Sequence, residues 1–183
     1  MLFGRRKEDP DMVIEERVKR RKKFKREGPK EEKIKTILEM KRIFVDLDGV
    51  CCDIRKLARQ KFSESPEVKY PQSQYGFFIE LEEIENSVSS IKELSKNYDV
   101  WFLSAPSTKN PMSYAEKNYW IRIHFGQEWC DKLILCPDKS LLIGDYLIDD
   151  NLSGRGQDRF IGEFIHFGSD KYKNWSEVLK YFI

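Results

Sequence analysis

The chain has 183 residues, 40% of them hydrophobic and 35% charged, with 33 Lys and Arg against 31 Asp and Glu. That is one domain of ordinary size with enough apolar residues for a core, and no apolar stretch approaches the ~20 residues of a membrane span. The small net charge hides a division: residues 1–42 hold 16 basic against 9 acidic residues, and the remainder 17 against 22.

The N-terminus, Met-Leu-Phe-Gly-Arg-Arg-Lys, has no apolar core and does not read as a secretory signal. Residues 1–40 read as a basic extension. Between Glu15 and Arg26 only Val18 and Phe24 are apolar, too few to bury a helical face. This run is expected to be a solvated, partly helical or disordered appendage, with docking on nucleic acid as the alternative. Past Gly28-Pro29, the residues Ile34, Ile37 and Leu38 recur at helical spacing.

Residues 41–183 read as the folded domain. Ile43-Phe44-Val45 is an unbroken apolar run, as in a strand buried on both faces, and it stops at Asp46, Asp48 and Gly49. Two carboxylates at the end of a buried strand need a cation or donors to offset their desolvation. A hard cation such as Mg²⁺ suits such oxygen ligands, whereas Asp-Gly alone is also an ordinary turn pair.

A helix is expected over 53–62, with Ile54, Leu57, Ala58 and Phe62 on one face, followed by a Pro-containing loop over 63–75. Residues 87–97 read as a helix and 98–103 as a second buried strand ending at Ser104. A further helix is expected over 112–125, presenting Tyr119, Trp120, Ile123 and Tyr114 to a core. Strands are expected over 132–135, 140–145 and 160–167, and a closing helix over 175–182. Strands alternating with helices give a doubly wound parallel sheet.

Cys51, Cys52, Cys130 and Cys136 form no C-x-x-C pair, so buried free thiols in a reducing cytoplasm are expected rather than a disulfide or zinc site. His124 and His166 stand alone and read as packed or surface imidazoles.

The strand ends collect the chemistry. Asp46 and Asp48 follow the first strand, Ser104 ends the second, Lys139 precedes the strand of 140–145, and Asp149-Asp150-Asn151 lie beyond it. In open α/β sheets ligands sit at the carboxyl ends of strands. Phosphoryl transfer needs a nucleophile, a general acid, neutralising cations and hydroxyl or amide donors, and this set contains each.

Three stretches carry a resemblance: Val-Asp-Leu-Asp-Gly-Val-Cys-Cys-Asp, Gly-Phe-Phe-Ile-Glu-Leu-Glu-Glu-Ile-Glu-Asn-Ser-Val, and Asp-Lys-Ser-Leu-Leu-Ile-Gly-Asp-Tyr-Leu-Ile-Asp-Asp-Asn. The sequence resembles the haloacid dehalogenase (HAD) superfamily and, more narrowly, the 5′(3′)-deoxyribonucleotidase family, from residue 43 to about residue 183. That resemblance implies a three-layer Rossmann-like α/β sheet with a short helical cap insert at about 54–86, and a Mg²⁺-dependent phosphatase acting on a nucleoside monophosphate. It implies Asp46 as the nucleophile that becomes an aspartyl-phosphate, and Asp48 as the acid for the leaving group. Ser104 and Lys139 would hold the phosphate. Asp46, the Asp48 carbonyl and Asp150 would hold the metal, with Asp149 beside them or sharing that role.

The stretch between Asp48 and Phe77, which forms the cap in that family, is shorter here, and Ser104-Ala105-Pro106 keeps the family's hydroxyl and proline. Phe77 and Phe78 are candidates to stack on a base or to pack beneath the cap. The alternatives are a phosphatase for another small phosphomonoester, whose choice the cap would set, and a nucleic-acid or partner-binding module with a vestigial site.

Overall fold

The computed structural model describes residues 40–183. The basic run of 15–26 and the helical pattern at Ile34, Ile37 and Leu38 lie outside the described residues.

Five strands form one parallel sheet: β1 Arg42–Val45, β2 Asp99–Ser104, β3 Leu133–Leu135, β4 Ile143–Asp149 and β5 Ile161–His166. Their order is β3-β2-β1-β4-β5. The chain runs outward from β1 through β2 to β3, then crosses back to build β4 and β5 on the other side. The order therefore reverses between β1 and β4, the place where such sheets bind ligands.

Four helices accompany the strands: α1 Ile54–Glu64, α2 Ser87–Leu94, α3 Ser113–His124 and α4 Trp175–Phe182. α1 starts where the Asp53 carboxylate accepts the Lys56 N–H at 2.9 Å, which satisfies one of the amides left free at a helix start. It stops at Ser65, just before Pro66.

Alternation along each strand divides the core. Ile43 and Val45 of β1, Val100 and Phe102 of β2, Ile148 of β4 and Ile165 of β5 face one cluster. Leu57, Ile91, Leu94, Trp120, Ile121, Trp175 and Val178 from the four helices close over it. On the opposite face Phe44, Leu103 and Leu147 are buried beneath Cys136, Leu142 and Phe160. There the connections from β3 to β4 and from β4 to β5 carry only the short 3₁₀ turns Lys139–Leu141 and Gln157–Arg159. These short connections bring Lys139 and Gln157 up to the sheet.

Several expected boundaries and faces shift. The fourth strand is Ile143–Asp149 rather than 140–145, so Asp145 lies within it and accepts the Arg42 N–H at 2.7 Å, while Asp149 ends it. The polar and aromatic Asp145 and Tyr146 hid this continuation. α3 buries Ser113, Glu116, Lys117, Trp120 and Ile121. Tyr114, Tyr119 and Ile123, expected inside, are exposed, as is Phe62 of α1. The α3 core face carries ionic groups that find partners, which apolar periodicity does not reveal.

Cys51 and Cys52 are buried free thiols and Cys130 and Cys136 half-buried ones. Burial pushes the first two thiols well above their ordinary range. His124 stacks on Trp120 at 4.1 Å, and burial lowers its pKa. No helix among the described residues is long and apolar enough to cross a membrane.

Candidate active site

The end of β1 meets the end of β4. Val45 pairs with Ile148, and the Asp46 N–H donates to the Ile148 carbonyl at 2.9 Å, which sets Asp46 beside Asp149. The chain then turns tightly. The Val50, Cys51 and Cys52 N–H groups all donate to the Leu47 carbonyl, and Gly49 donates to the Cys52 carbonyl at 2.7 Å. Gly49 has φ +86°, and a Cβ on it would lie 2.3 Å from Asp150 Oδ2. Only glycine both adopts that backbone and lets the loop approach the Asp150 carboxylate.

Behind this loop, Cys52 bridges to Glu83, and the Ile84 and Asp53 N–H groups donate to the Cys51 and Glu82 carbonyls. The segment after Phe78 thus braces the acidic loop from below.

Two buried lysines divide the carboxylates between them. Lys139, 1% exposed, lies 2.9 Å from Asp46 Oδ1 and donates a short hydrogen bond to Asp149 Oδ2. Lys117 on α3, 2% exposed, uses all three of its donors: on Asp48 Oδ2 at 2.7 Å, Ser104 Oγ at 2.8 Å and the Ala105 carbonyl at 2.8 Å. Each buried ammonium is thereby offset by carboxylates and acceptors.

The titrations follow from this arrangement. Burial works against the Lys139 ammonium, but Asp46 and Asp149 outweigh it and hold its pKa above the ordinary value. Burial raises the Asp48 pKa, Lys117 pulls it back, and Asp46 adds to the rise. Asp149 is raised by burial and by Asp46. Asp150 is pushed up to about 6 by burial, then by Asp46 and Asp149, against the opposing pull of Arg55.

Asp46, Asp149 and Asp150 bring carboxylate oxygens within 4.8 Å of one another. Oxygen-only donors at this closeness fit a hard divalent cation. Asp46 Oδ1 is also buried without a hydrogen-bond donor, since the Lys139 ammonium stands at ion-pair distance but not in hydrogen-bond geometry. Asp149 is fully buried and committed to Lys139, the Asn151 N–H and Gln157 Nε2. Asp150 instead faces the cleft. Its oxygens accept from Arg55 Nη2 at 2.8 Å and from Asn151 Nδ2 at 2.7 Å. Of the two, Asp150 is thus the carboxylate that could hold a cation from the cleft side beside Asp46.

The cleft encloses about 430 Å³, with Asp46, Asp48, Ser104, Lys139 and Asp150 at its floor. Every strand-end residue singled out in the sequence therefore lies in or directly beneath one cavity. Phe78 also lines it, but Phe77 does not; its ring lines a smaller, separate cavity and meets Phe78 edge-on at 5.3 Å. Both phenylalanines are buried. Two residues escaped the sequence reading. One is Lys117; the other is Glu116, buried, whose carboxylate accepts the Gly76 N–H at 2.8 Å, the Phe78 N–H at 3.1 Å and Asn110 Nδ2 at 3.3 Å. The only sequence signal was an adjacent Glu-Lys pair one turn before Trp120 on a helix flanked by buried apolar residues.

Comparisons with known proteins identify the family. Residues 66–180 match the family described as 5′ nucleotidase, deoxy (pyrimidine), cytosolic type C protein. A protein of Vibrio phage KVP40 that carries a 5′(3′)-deoxyribonucleotidase name is 30% identical over 147 residues, covering 76% of this chain and 82% of the relative. The human cytosolic-type 5′(3′)-deoxyribonucleotidase is 30% identical over 148 residues, covering 64% of this chain and 74% of the human protein. The human mitochondrial 5′(3′)-deoxyribonucleotidase is 28% identical over 141 residues, covering 60% and 61%. With a parallel α/β sheet, two aspartates at the end of its first strand and a family match over most of the folded domain, the chain belongs to the 5′(3′)-deoxyribonucleotidase family of phosphoric monoester hydrolases.

Proposed function

We propose that this chain is a Mg²⁺-dependent phosphatase that removes the phosphate of a (deoxy)nucleoside monophosphate through an aspartyl-phosphate on Asp46. The observation that carries the reading is the division of labour between two carboxylates two residues apart. Asp46 faces Lys139, Asp149 and Asp150, whereas Asp48 faces Lys117 and Ser104.

Asp46 is the nucleophile. Its carboxylate oxygen forms a bond to phosphorus as the bond to the leaving alkoxide breaks. Asp48 gives its proton to that alkoxide, and burial, which raises its pKa, favours the protonated form needed. In the second half, Asp48 takes a proton from the water that attacks phosphorus, and Asp46 is released with inorganic phosphate. Ser104 Oγ and the Lys139 ammonium line the cleft and would hold the phosphate oxygens, offsetting their charge as it redistributes, while Lys117 acts from behind through Ser104 Oγ and Asp48. Mg²⁺ held by Asp46, the Asp48 backbone carbonyl and Asp150 would neutralise phosphate charge, so that an anionic nucleophile can approach.

The test is a phosphate-release screen across deoxyribo- and ribonucleoside 5′- and 3′-monophosphates and sugar phosphates, with Mg²⁺ and with EDTA. The expected result is release from nucleotides that EDTA abolishes. Release from sugar phosphates with none from any nucleotide would overturn the substrate class, and undiminished release in EDTA would overturn the metal requirement.

A further inference from the structure

With one divalent cation bound, the charges on the floor of the cleft cancel, and those at its mouth do not. On the floor the carboxylates of Asp46, Asp48, Asp149 and Asp150 face the ammoniums of Lys117 and Lys139, an imbalance that one divalent cation would bring level. Around the mouth stand Arg55, Lys109 and Arg155, of which Arg55 alone meets a carboxylate, that of Asp150 on the floor. Three such cations exceed the charge of one phosphomonoester dianion.

Each comes from a different element and each lines the cleft. Arg55 sits in the first turn of α1, with Nη2 2.8 Å from Asp150 Oδ2. Lys109, in the loop after β2, places Nζ 3.3 Å from the centre of the Tyr70 ring. Arg155, in the loop after β4, accepts the Lys139 N–H on its own carbonyl at 2.7 Å, and its N–H donates to Gln157 Oε1 at 2.8 Å. That loop is therefore tied to the same residue that reaches Asp46. Among the described residues no carboxylate lies within 4 Å of the Arg155 guanidinium or the Lys109 ammonium. Guanidinium groups bind phosphate oxygens through paired, charge-assisted hydrogen bonds, and cations converging on a cleft raise the local concentration of polyanions.

We propose that the mouth of this cleft binds a second phosphate on the substrate. The preferred class is then a nucleoside phosphate bearing another phosphate next to the one removed, as in a nucleoside 3′,5′-bisphosphate or the phosphorylated end of an oligonucleotide. This rests on the nucleotidase reading above and goes beyond it in naming what lies outside the scissile group.

The experiment compares kcat/KM for a deoxynucleoside 5′-monophosphate, the matching 3′,5′-bisphosphate and a 5′-phosphorylated dinucleotide, using the Mg²⁺-loaded full chain and its Lys109→Gln/Arg155→Gln variant. The wild type is expected to favour at least one substrate bearing a second phosphate over the monophosphate by about tenfold, and the variant to bring that ratio close to one. Preference for the bisphosphate identifies a terminal phosphate as the second group, and preference for the dinucleotide identifies a diester. Raising the salt concentration should shrink the preference, because exposed cations are screened. A wild-type ratio at or below one, with the monophosphate hydrolysed, overturns this inference alone. A preference that survives in the variant also overturns it. Hydrolysis of none of the three substrates overturns it together with the nucleotidase reading.

Discussion

Lys117 Nζ lies 2.7 Å from Asp48 Oδ2 and 2.8 Å from Ser104 Oγ, so one buried ammonium on α3 joins the ends of β1 and β2. It also stands 4.9 Å from the centre of the Phe78 ring. The same cation thus touches the proposed proton donor, the phosphate-facing hydroxyl and the aromatic wall of the cleft.

Lys117→Met keeps the stem and deletes the charge. Phosphatase kcat/KM is expected to fall by about a hundredfold or more. Lys117 lowers the Asp48 pKa, so its loss should also carry the high-pH limb of the kcat profile to higher pH, since Asp48 then keeps its proton longer. A profile that keeps its shape would remove Lys117 from contact with the acid.

Glu116 acts on the wall rather than the floor. Glu116→Gln leaves one acceptor oxygen where two served the Gly76, Phe78 and Asn110 donors. A loss of about 1–3 kcal/mol in stability is expected, together with a rise in KM larger than the fall in kcat, because Phe78 loses its anchor while Asp46 and Asp48 keep theirs. Denaturant unfolding and steady-state kinetics measure the two effects separately.

Gly49→Ala forces a left-handed backbone on a residue with a Cβ, at a cost of about 1–2 kcal/mol, and drives that Cβ into Asp150. Mg²⁺ affinity should drop together with activity. Calorimetric titration that found wild-type affinity would mean that Asp150 does not bind the metal.

The acidic trio sets a pH dependence of stability. Asp150 titrates at about 6 in the folded chain against an ordinary value of 3.8, and Asp48 and Asp149 are raised as well. An acid whose folded pKa is raised binds its proton more tightly when folded, so its contribution is present at low pH and lost as pH rises through the folded value. In EDTA, Asp150 should therefore lower Tm as pH climbs from about 4 to about 6. With Mg²⁺ this trend should reverse, since a ligand carboxylate must be deprotonated. An Asp150→Asn variant that kept the EDTA trend unchanged would assign it to other groups.

The strand ends were legible in the sequence because apolar runs stop abruptly at Asp46 and Ser104, and Lys139 and Asp149-Asp150 bracket the fourth strand at close range. Glu116 and Lys117 were not, since a buried ion reads as a surface charge until its partners are known, and those partners lie as far off in sequence as Asp48, Ser104 and Gly76. The length of β4 was hidden for a related reason: Asp145 and Tyr146 interrupt the apolar run, yet the Asp145 carboxylate is occupied by the Arg42 N–H and the ladder continues to Asp149. Phe77 and Phe78 looked equivalent as neighbours. Their rings diverge, so only Phe78 reaches the cleft.

The central claim is that Asp46 carries the phosphoryl group between substrate and water. It is tested by mixing the Mg²⁺-loaded chain with a deoxynucleoside monophosphate, quenching rapidly in acid and mapping phosphorylated peptides by mass spectrometry, with Asp46→Asn in parallel. The account predicts phosphate on the peptide containing Asp46 in the wild type, and neither phosphopeptide nor turnover in the variant. Turnover of a nucleotide by Asp46→Asn at the wild-type rate, or a phosphoryl group trapped on another residue, would contradict it.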